Sequence, residues 1–106
     1  MEPESIFVSP APGSRMPFQA AEIWGWAWSS SPIKRVEVSL DGGRTWQAAQ
    51  TESRRQHSWQ KFSADWSPAQ PGEYELRCRA TDPNGRKQPA TGARNSIYSV
   101  KLVVEP

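Results

Sequence analysis

The sequence predicts an all-β sandwich of about seven short strands, and three observations carry that prediction. Apolar residues recur at every second position in several stretches, most clearly from Glu73 to Asp82 and from Ile97 to Val104. Clusters of Pro, Gly, Asn and Ser break up these stretches at short intervals. No part of the chain shows the three-to-four-residue spacing of an amphipathic helix.

At 106 residues the chain reads as one domain, 1–106. A domain of this size buries roughly 65% of its unfolded surface around a thin core. Six tryptophans contribute to a hydrophobic content of only 36%, so a few large rings must supply much of the buried area. Thirteen basic and 11 acidic side chains leave a net charge of +2, with the basic residues scattered. That pattern is no footprint for nucleic acid or an anionic membrane. A lone cysteine, Cys78, excludes an intrachain disulfide. Met-Glu-Pro-Glu-Ser at the start carries no apolar signal-peptide core, so the expectation is a cytosolic chain or a piece of a longer exported protein.

In chain order, Ile6-Phe7-Val8 is an edge strand closed by the Pro-rich run Ser9 to Gly13. Glu22 to Ser29 is a strand with Trp24, Trp26 and Trp28 on one face and Ile23, Gly25 and Ala27 on the other. Neither face is polar, so both must be covered. Ser30 to Pro32 turn the chain into a strand from Ile33 to Leu40, and Asp41-Gly42-Gly43 then forms a tight hairpin turn. A returning strand runs from Thr45 to Ala49, with Trp46 covering the hairpin, and Gln50 to Gln56 is a solvated polar loop. His57 to Trp66 places Phe62, Ala64 and Trp66 on one face and Trp59 on the other. After the turn Ser67 to Gly72 comes a half-buried strand with Tyr74, Leu76, Cys78 and Ala80 inward. Asp82 to Gly85 is a turn, Gln88 to Arg94 a loop, and the last strand turns Tyr98, Val100, Leu102 and Val104 to one face. The arrangement is that of an immunoglobulin-like sandwich of the E-set type, without the Cys-Trp-Cys signature of antibody domains.

Catalytic and metal chemistry find little to build on. One histidine and one cysteine cannot assemble a metal centre. Cys78, between Leu76 and Ala80 on an inward face, is a buried filler whose thiol pKa is raised. His57 sits beside an Arg-rich loop with no nucleophile elbow for it to serve. Asp41-Gly42-Gly43 lies between strands, so no helix N-terminus stands behind it to bind phosphate. The tryptophan strand carries no Lys or Arg, which argues against a single-stranded nucleic-acid platform.

Ser39, Asp41, Gly43, Thr45 and Trp46 resemble one Asp-box of sialidase-like propellers, a hairpin clasp remote from catalysis. A single copy cannot build a propeller, so Ser39, Asp41, Gly42, Gly43, Thr45 and Trp46 are a self-bonded structural hairpin. A wider resemblance covers most of the chain. It is carried by Ile23-x-Gly25-x-Ala27-Trp28-Ser29, by Arg35-Val36-x-Val38-Ser39-x-Asp41-Gly42-Gly43-x-Thr45-Trp46, by Trp66 with Pro68, and by Cys78-Arg79-Ala80-Thr81-Asp82 followed by Gln88-Pro89. Together these resemble the C-terminal dimerisation domain of the sulfite oxidase family of molybdenum-cofactor oxidoreductases.

The resemblance implies a non-catalytic domain that pairs subunits, as a homodimer or with a molybdenum-cofactor catalytic domain. It also implies that molybdopterin belongs to the parent enzyme and not to this chain, from which the catalytic domain is absent. A periplasmic location is suggested by the resemblance alone. The chain departs from the family after Gln88-Pro89, where only Ala90 to Arg94 precede Asn95-Ser96-Ile97-Tyr98. The family's pocket-reaching arginine has no counterpart here, and its role is not assigned to Arg94.

Trp24, Trp26 and Trp28 are the candidate interface, because an apolar ring ladder left in water invites association. The alternative is that all three rings are core. A second reading, from another class, is a carbohydrate-binding module in which coplanar exposed tryptophans stack on sugars.

Overall fold

Nine strands form among the described residues: β1 (Glu4–Ser9), β2 (Arg15–Pro17), β3 (Ala21–Trp28), β4 (Arg35–Ser39), β5 (Gln47–Ala48), β6 (Gln50–Thr51), β7 (Gln60–Trp66), β8 (Gly72–Thr81) and β9 (Tyr98–Glu105). The computed structural model describes residues 3–29, 33–52, 59–81, 85, 87–88 and 97–106, and no helix occurs among them. His57, the turns at Ser30 to Pro32 and Asp82 to Asn84, the arginines of the polar loop, and the segment from Pro89 to Ser96 with Arg94 lie outside the described residues.

One sheet has the order β1-β3-β7-β6 and the other the order β2-β9-β8-β4-β5. The first matches the ABED sheet of an immunoglobulin sandwich, and β9-β8-β4 matches its GFC sheet. Nine described strands stand where about seven were expected because the chain divides an edge strand between the two sheets on each flank. After β1 it crosses to the second sheet, where β2 runs parallel to β9. On the opposite flank β5 pairs with β4 while β6, one residue later, pairs with β7. The hinge residue Ala49 donates its amide to the Val36 carbonyl at 2.8 Å. The expected loop from Gln50 therefore opens as a short edge strand, a position where polar side chains reach solvent on the open side.

The hairpin also differs from a tight two-residue turn. Register joins Glu37 to Ala48 and Val38 to Gln47, so Thr45 and Trp46 belong to the connection and not to the returning strand. Their exclusion has a cause: the amides of Arg44 and Thr45 donate to the Asp41 carboxylate, at 3.1 and 2.9 Å, in place of a ladder partner.

Between the sheets the core is built from Phe7, Ile23, Ala27, Val36, Val38, Phe62, Trp66, Leu76, Cys78, Ala80, Val100, Leu102 and Val104, all buried. Tyr74 packs edge-on against Trp66 at 5.1 Å and donates its hydroxyl to the Gln70 carbonyl at 2.6 Å. A tyrosine at the start of this strand bonding back to the preceding corner is the tyrosine-corner device of such sandwiches. Two buried glutamines tie loops to the layers. Gln60 accepts from the Ile33 amide at 2.7 Å and donates to the Glu52 carbonyl at 2.9 Å. Gln88 accepts from the Ala80 amide at 2.9 Å and from the Ser5 hydroxyl.

Gly25 sits at the tightest point. It pairs with Phe7 on one side and Phe62 on the other, and those two rings meet edge-on at 5.7 Å. A Cβ at this position would lie 1.9 Å from the Ile6 carbonyl oxygen and 2.8 Å from the Phe7 Cα, both backbone atoms that cannot swing away. The β1 ladder is also irregular here, with its register shifting between Phe7 and Ser9. Gly25→Ala is therefore expected to destabilise the fold by about 2 kcal/mol or more in urea unfolding. Wild-type stability in that variant would contradict the close approach.

Candidate functional site

Alternation decides which side of β3 faces the core. Ile23 and Ala27 are buried between the sheets, while Trp24, Trp26 and Trp28 stand half-buried on the outer face of the four-stranded sheet. The possibility that all three rings are core is thereby overturned, since small residues and Ile23 occupy the inner side. A fourth ring joins them. Trp59, 50% exposed, stacks on Trp28 at 4.6 Å with planes 19° apart and meets Trp26 edge-on at 6.2 Å. Trp24 and Trp26 are edge-to-face at 6.0 Å and 81°, and the Lys61 ammonium lies 4.8 Å from the centre of the Trp24 ring. Val8, 41% exposed at the irregularity in β1, stands at the edge of the same sheet.

Trp59 was missing from the candidate set although its strand was foreseen. Only the β3–β7 register, with Trp26 opposite Lys61 and Ala27 opposite Gln60, brings it beside Trp28. The ring geometry also argues against a sugar platform. Stacking on a pyranose needs coplanar, open ring faces, whereas these rings stand edge-on to one another or cover each other's faces.

The outer face of the five-stranded sheet has the opposite character. Glu37 and Arg79, directly opposite in register, pair at 2.9 Å, and the Arg79 guanidinium lies 4.0 Å above the Trp46 ring. Trp46 thus covers Arg79 and not the hairpin core. Arg77 bonds Glu75 through two nitrogens, at 3.2 and 3.1 Å, and Ser99 donates to Glu75 at 2.6 Å. The Ser99 hydroxyl foremost, with Arg77 behind it, holds the Glu75 carboxyl below the usual range. The charges named here satisfy one another within the chain.

The hairpin clasp forms as its residue types require. Ser39 Oγ, buried, donates to Asp41 at 2.8 Å and accepts from the Gly43 amide at 2.8 Å. Thr45 Oγ1 donates to the second Asp41 oxygen at 2.6 Å. Gly42 and Gly43 adopt φ of 74° and 99°, which side-chain-bearing residues rarely adopt. The loop then lies across β8, with the Gly42 amide donating to the Glu75 carbonyl at 3.0 Å.

Among the described residues no three His, Cys, Asp or Glu side chains come together, and burial pushes the Cys78 thiol up to about 12. A thiol in that state is neither a ready nucleophile nor a ready metal ligand.

An immunoglobulin-like sandwich with a neutralised charged face and an aromatic outer face is the class this geometry defines. Residues 1–104 match the family model of the Mo-co oxidoreductase dimerisation domain. This chain belongs to that family, and it is a dimerisation domain of the sulfite oxidase type. It is 34% identical over 98 residues to mitochondrial sulfite oxidase of Rattus norvegicus and 34% identical over 93 residues to sulfite oxidase of Gallus gallus. These alignments cover 85% and 81% of the chain but only 18% and 20% of the two relatives, so the chain spans about a fifth of their length. Among solved structures it resembles the sulfane dehydrogenase SoxCD of Paracoccus pantotrophus, with a TM-score of 0.81 and 29% identity, over 100% of this chain and 33% of that one. A CARDB domain from Pyrococcus furiosus, at 15% identity and a TM-score of 0.64 over 97% of this chain and 92% of its own, shares the fold.

Two outcomes follow from the titrating groups. The Thr45 hydroxyl and amide, and the Ser39 hydroxyl after them, bring the Asp41 carboxyl from 3.8 down to about 2. A carboxyl depressed in the folded state stabilises fully above its unfolded value, and that stabilisation is lost as pH falls through the folded one. Melting temperature should therefore drop between about pH 4 and pH 2, and Asp41→Asn should flatten that part of the profile. For Cys78, a disulfide reagent at pH 8 should find no reactive thiol until denaturant is added. Prompt labelling of the native chain would contradict the buried, protonated state.

Proposed function

We propose that this chain works as a non-catalytic pairing module, forming a homodimer through the outer face of the four-stranded sheet, the face that carries Trp24, Trp26, Trp28 and Trp59. One observation carries the reading: this is the aromatic face, on a molecule whose other routes to association are blunted. β5 and β6 have two residues each, β2 has three and ends in Pro17, and β1 is irregular and preceded by Pro3. Short, proline-flanked and bulged edges resist strand addition. The opposite face holds Glu37 with Arg79 and Glu75 with Arg77 in internal pairs, so docking over them would cost their desolvation without new partners. Clustered indoles on a sheet face are the side chains that most often dominate interface energetics.

In the parent protein, molybdopterin and the redox chemistry belong to a separate catalytic domain, with which this sandwich associates while pairing two subunits. Family membership and the roughly one-fifth coverage of sulfite oxidases support that division. Residues 1–106 then act as a single domain.

Sedimentation equilibrium over a wide concentration range tests the pairing. The chain is expected to be a dimer at low micromolar concentration, and Trp26→Ser to weaken the dimer by about tenfold to a hundredfold while keeping the β-sheet circular dichroism. A folded Trp26→Ser variant with unchanged self-association would exclude the tryptophan face.

A further inference from the structure

The aromatic face carries two carboxylates that the described residues do not neutralise. Glu22 on β3 and Asp65 on β7 are directly opposite in register at one end of the outer face. Like charges so placed on neighbouring strands repel. Among the described residues neither has a cationic partner. Lys61, the cation seated on this face, is four residues from Asp65 along β7, and its contact is the Trp24 ring. Among the described residues no ion pair joins it to Asp65 or to Glu22. A carboxylate pair and a lysine two rows apart on one flat face form a pattern that a second copy can complete.

Resting on the reading of this face as the self-association surface, we propose that two copies pack antiparallel, with Lys61 of each engaging the Glu22–Asp65 pair of the other. A two-fold face-to-face contact allows two simple arrangements of the strands. With the axis along the strands, each row meets itself, so four carboxylates from Glu22 and Asp65 converge in a desolvated contact. With the axis across the strands at the Trp24–Ser63 row, Trp24 meets its symmetry mate. The Trp26–Lys61 row then lies over the Glu22–Asp65 row, in both directions at once. The second arrangement sets one lysine against the acidic pair at each end of the contact and keeps Trp24 at its centre. The acidic pair is thus a register device: it rejects the parallel stacking that the tryptophans alone would permit.

A charge swap tests whether these groups meet across the contact, and a cross-link tests the register: oxidised one to one, Lys61→Cys and Asp65→Cys copies are expected to form a mixed disulfide, which stacking of each row on itself would not allow. Lys61→Glu is expected to weaken the dimer by at least about tenfold, and so is the double variant Glu22→Lys with Asp65→Lys. Mixed one to one, the two variants are expected to form a heterodimer of near wild-type affinity, seen by native mass spectrometry through their different masses. A side chain needed only inside its own chain could not be rescued in that way. A mixture that stays monomeric, while Trp26→Ser still dissociates the wild-type dimer, overturns the register and leaves the face standing. A dimer indifferent to both Trp26→Ser and Lys61→Glu overturns the face and the register together.

Discussion

Everything on the four-stranded sheet depends on the close passage of β1 over Gly25. Phe7 and Phe62 flank that glycine in register and close over it edge-on, so the missing side chain is replaced by two rings from neighbouring strands. This is the usual remedy for a glycine inside a sheet, which would otherwise weaken its strand and leave a void. With Gly25 and Ala27 giving up the inner side of β3 to the phenylalanines, the bulky residues of that strand occupy the other side. The outward tryptophans follow from the inward glycine.

The two outer faces handle water in opposite ways. On the five-stranded sheet, Glu37 with Arg79 and Glu75 with Arg77 and Ser99 form short-range pairs, and the Trp46 ring receives the Arg79 guanidinium. Such pairs add little stability at a surface, but they leave that face with few unmet demands. On the four-stranded sheet, among the described residues, the indoles stack on and against one another, and Lys61 masks part of one ring. The asymmetry gives a symmetric-looking sandwich a front and a back.

The sequence made the period-two strands legible because each buries one face, and burial writes alternation directly into the chain. That is why β3, β8 and β9 stand close to their expected positions and why Cys78 was readable as core. The clasp was legible too, since Ser39, Asp41 and Thr45 bond within a few residues of one another. What the sequence hid was non-local. Arg15-Met16-Pro17 shows no alternation and includes a proline, so β2 exists only because β9 offers it a parallel edge. Trp59 looked like a stray aromatic until the β3–β7 register set it against Trp28. Tyr74 had a local cue in the Pro71-Gly72 corner before it, which a search for the corner motif would have caught.

The chain passes between the layers on both flanks, from β1 to β2 on one side and from β5 to β6 on the other. On the second flank the passage is the single residue Ala49, held to Val36 by its amide. Neither layer can be peeled away without dragging a strand out of its own ladder, so local opening that would part the sheets is suppressed. The central amides of both layers then share one protection free energy against hydrogen exchange, that of the whole molecule. A pull on the aromatic front is resisted by the charged back as well, and a domain of this size grips with its entire core.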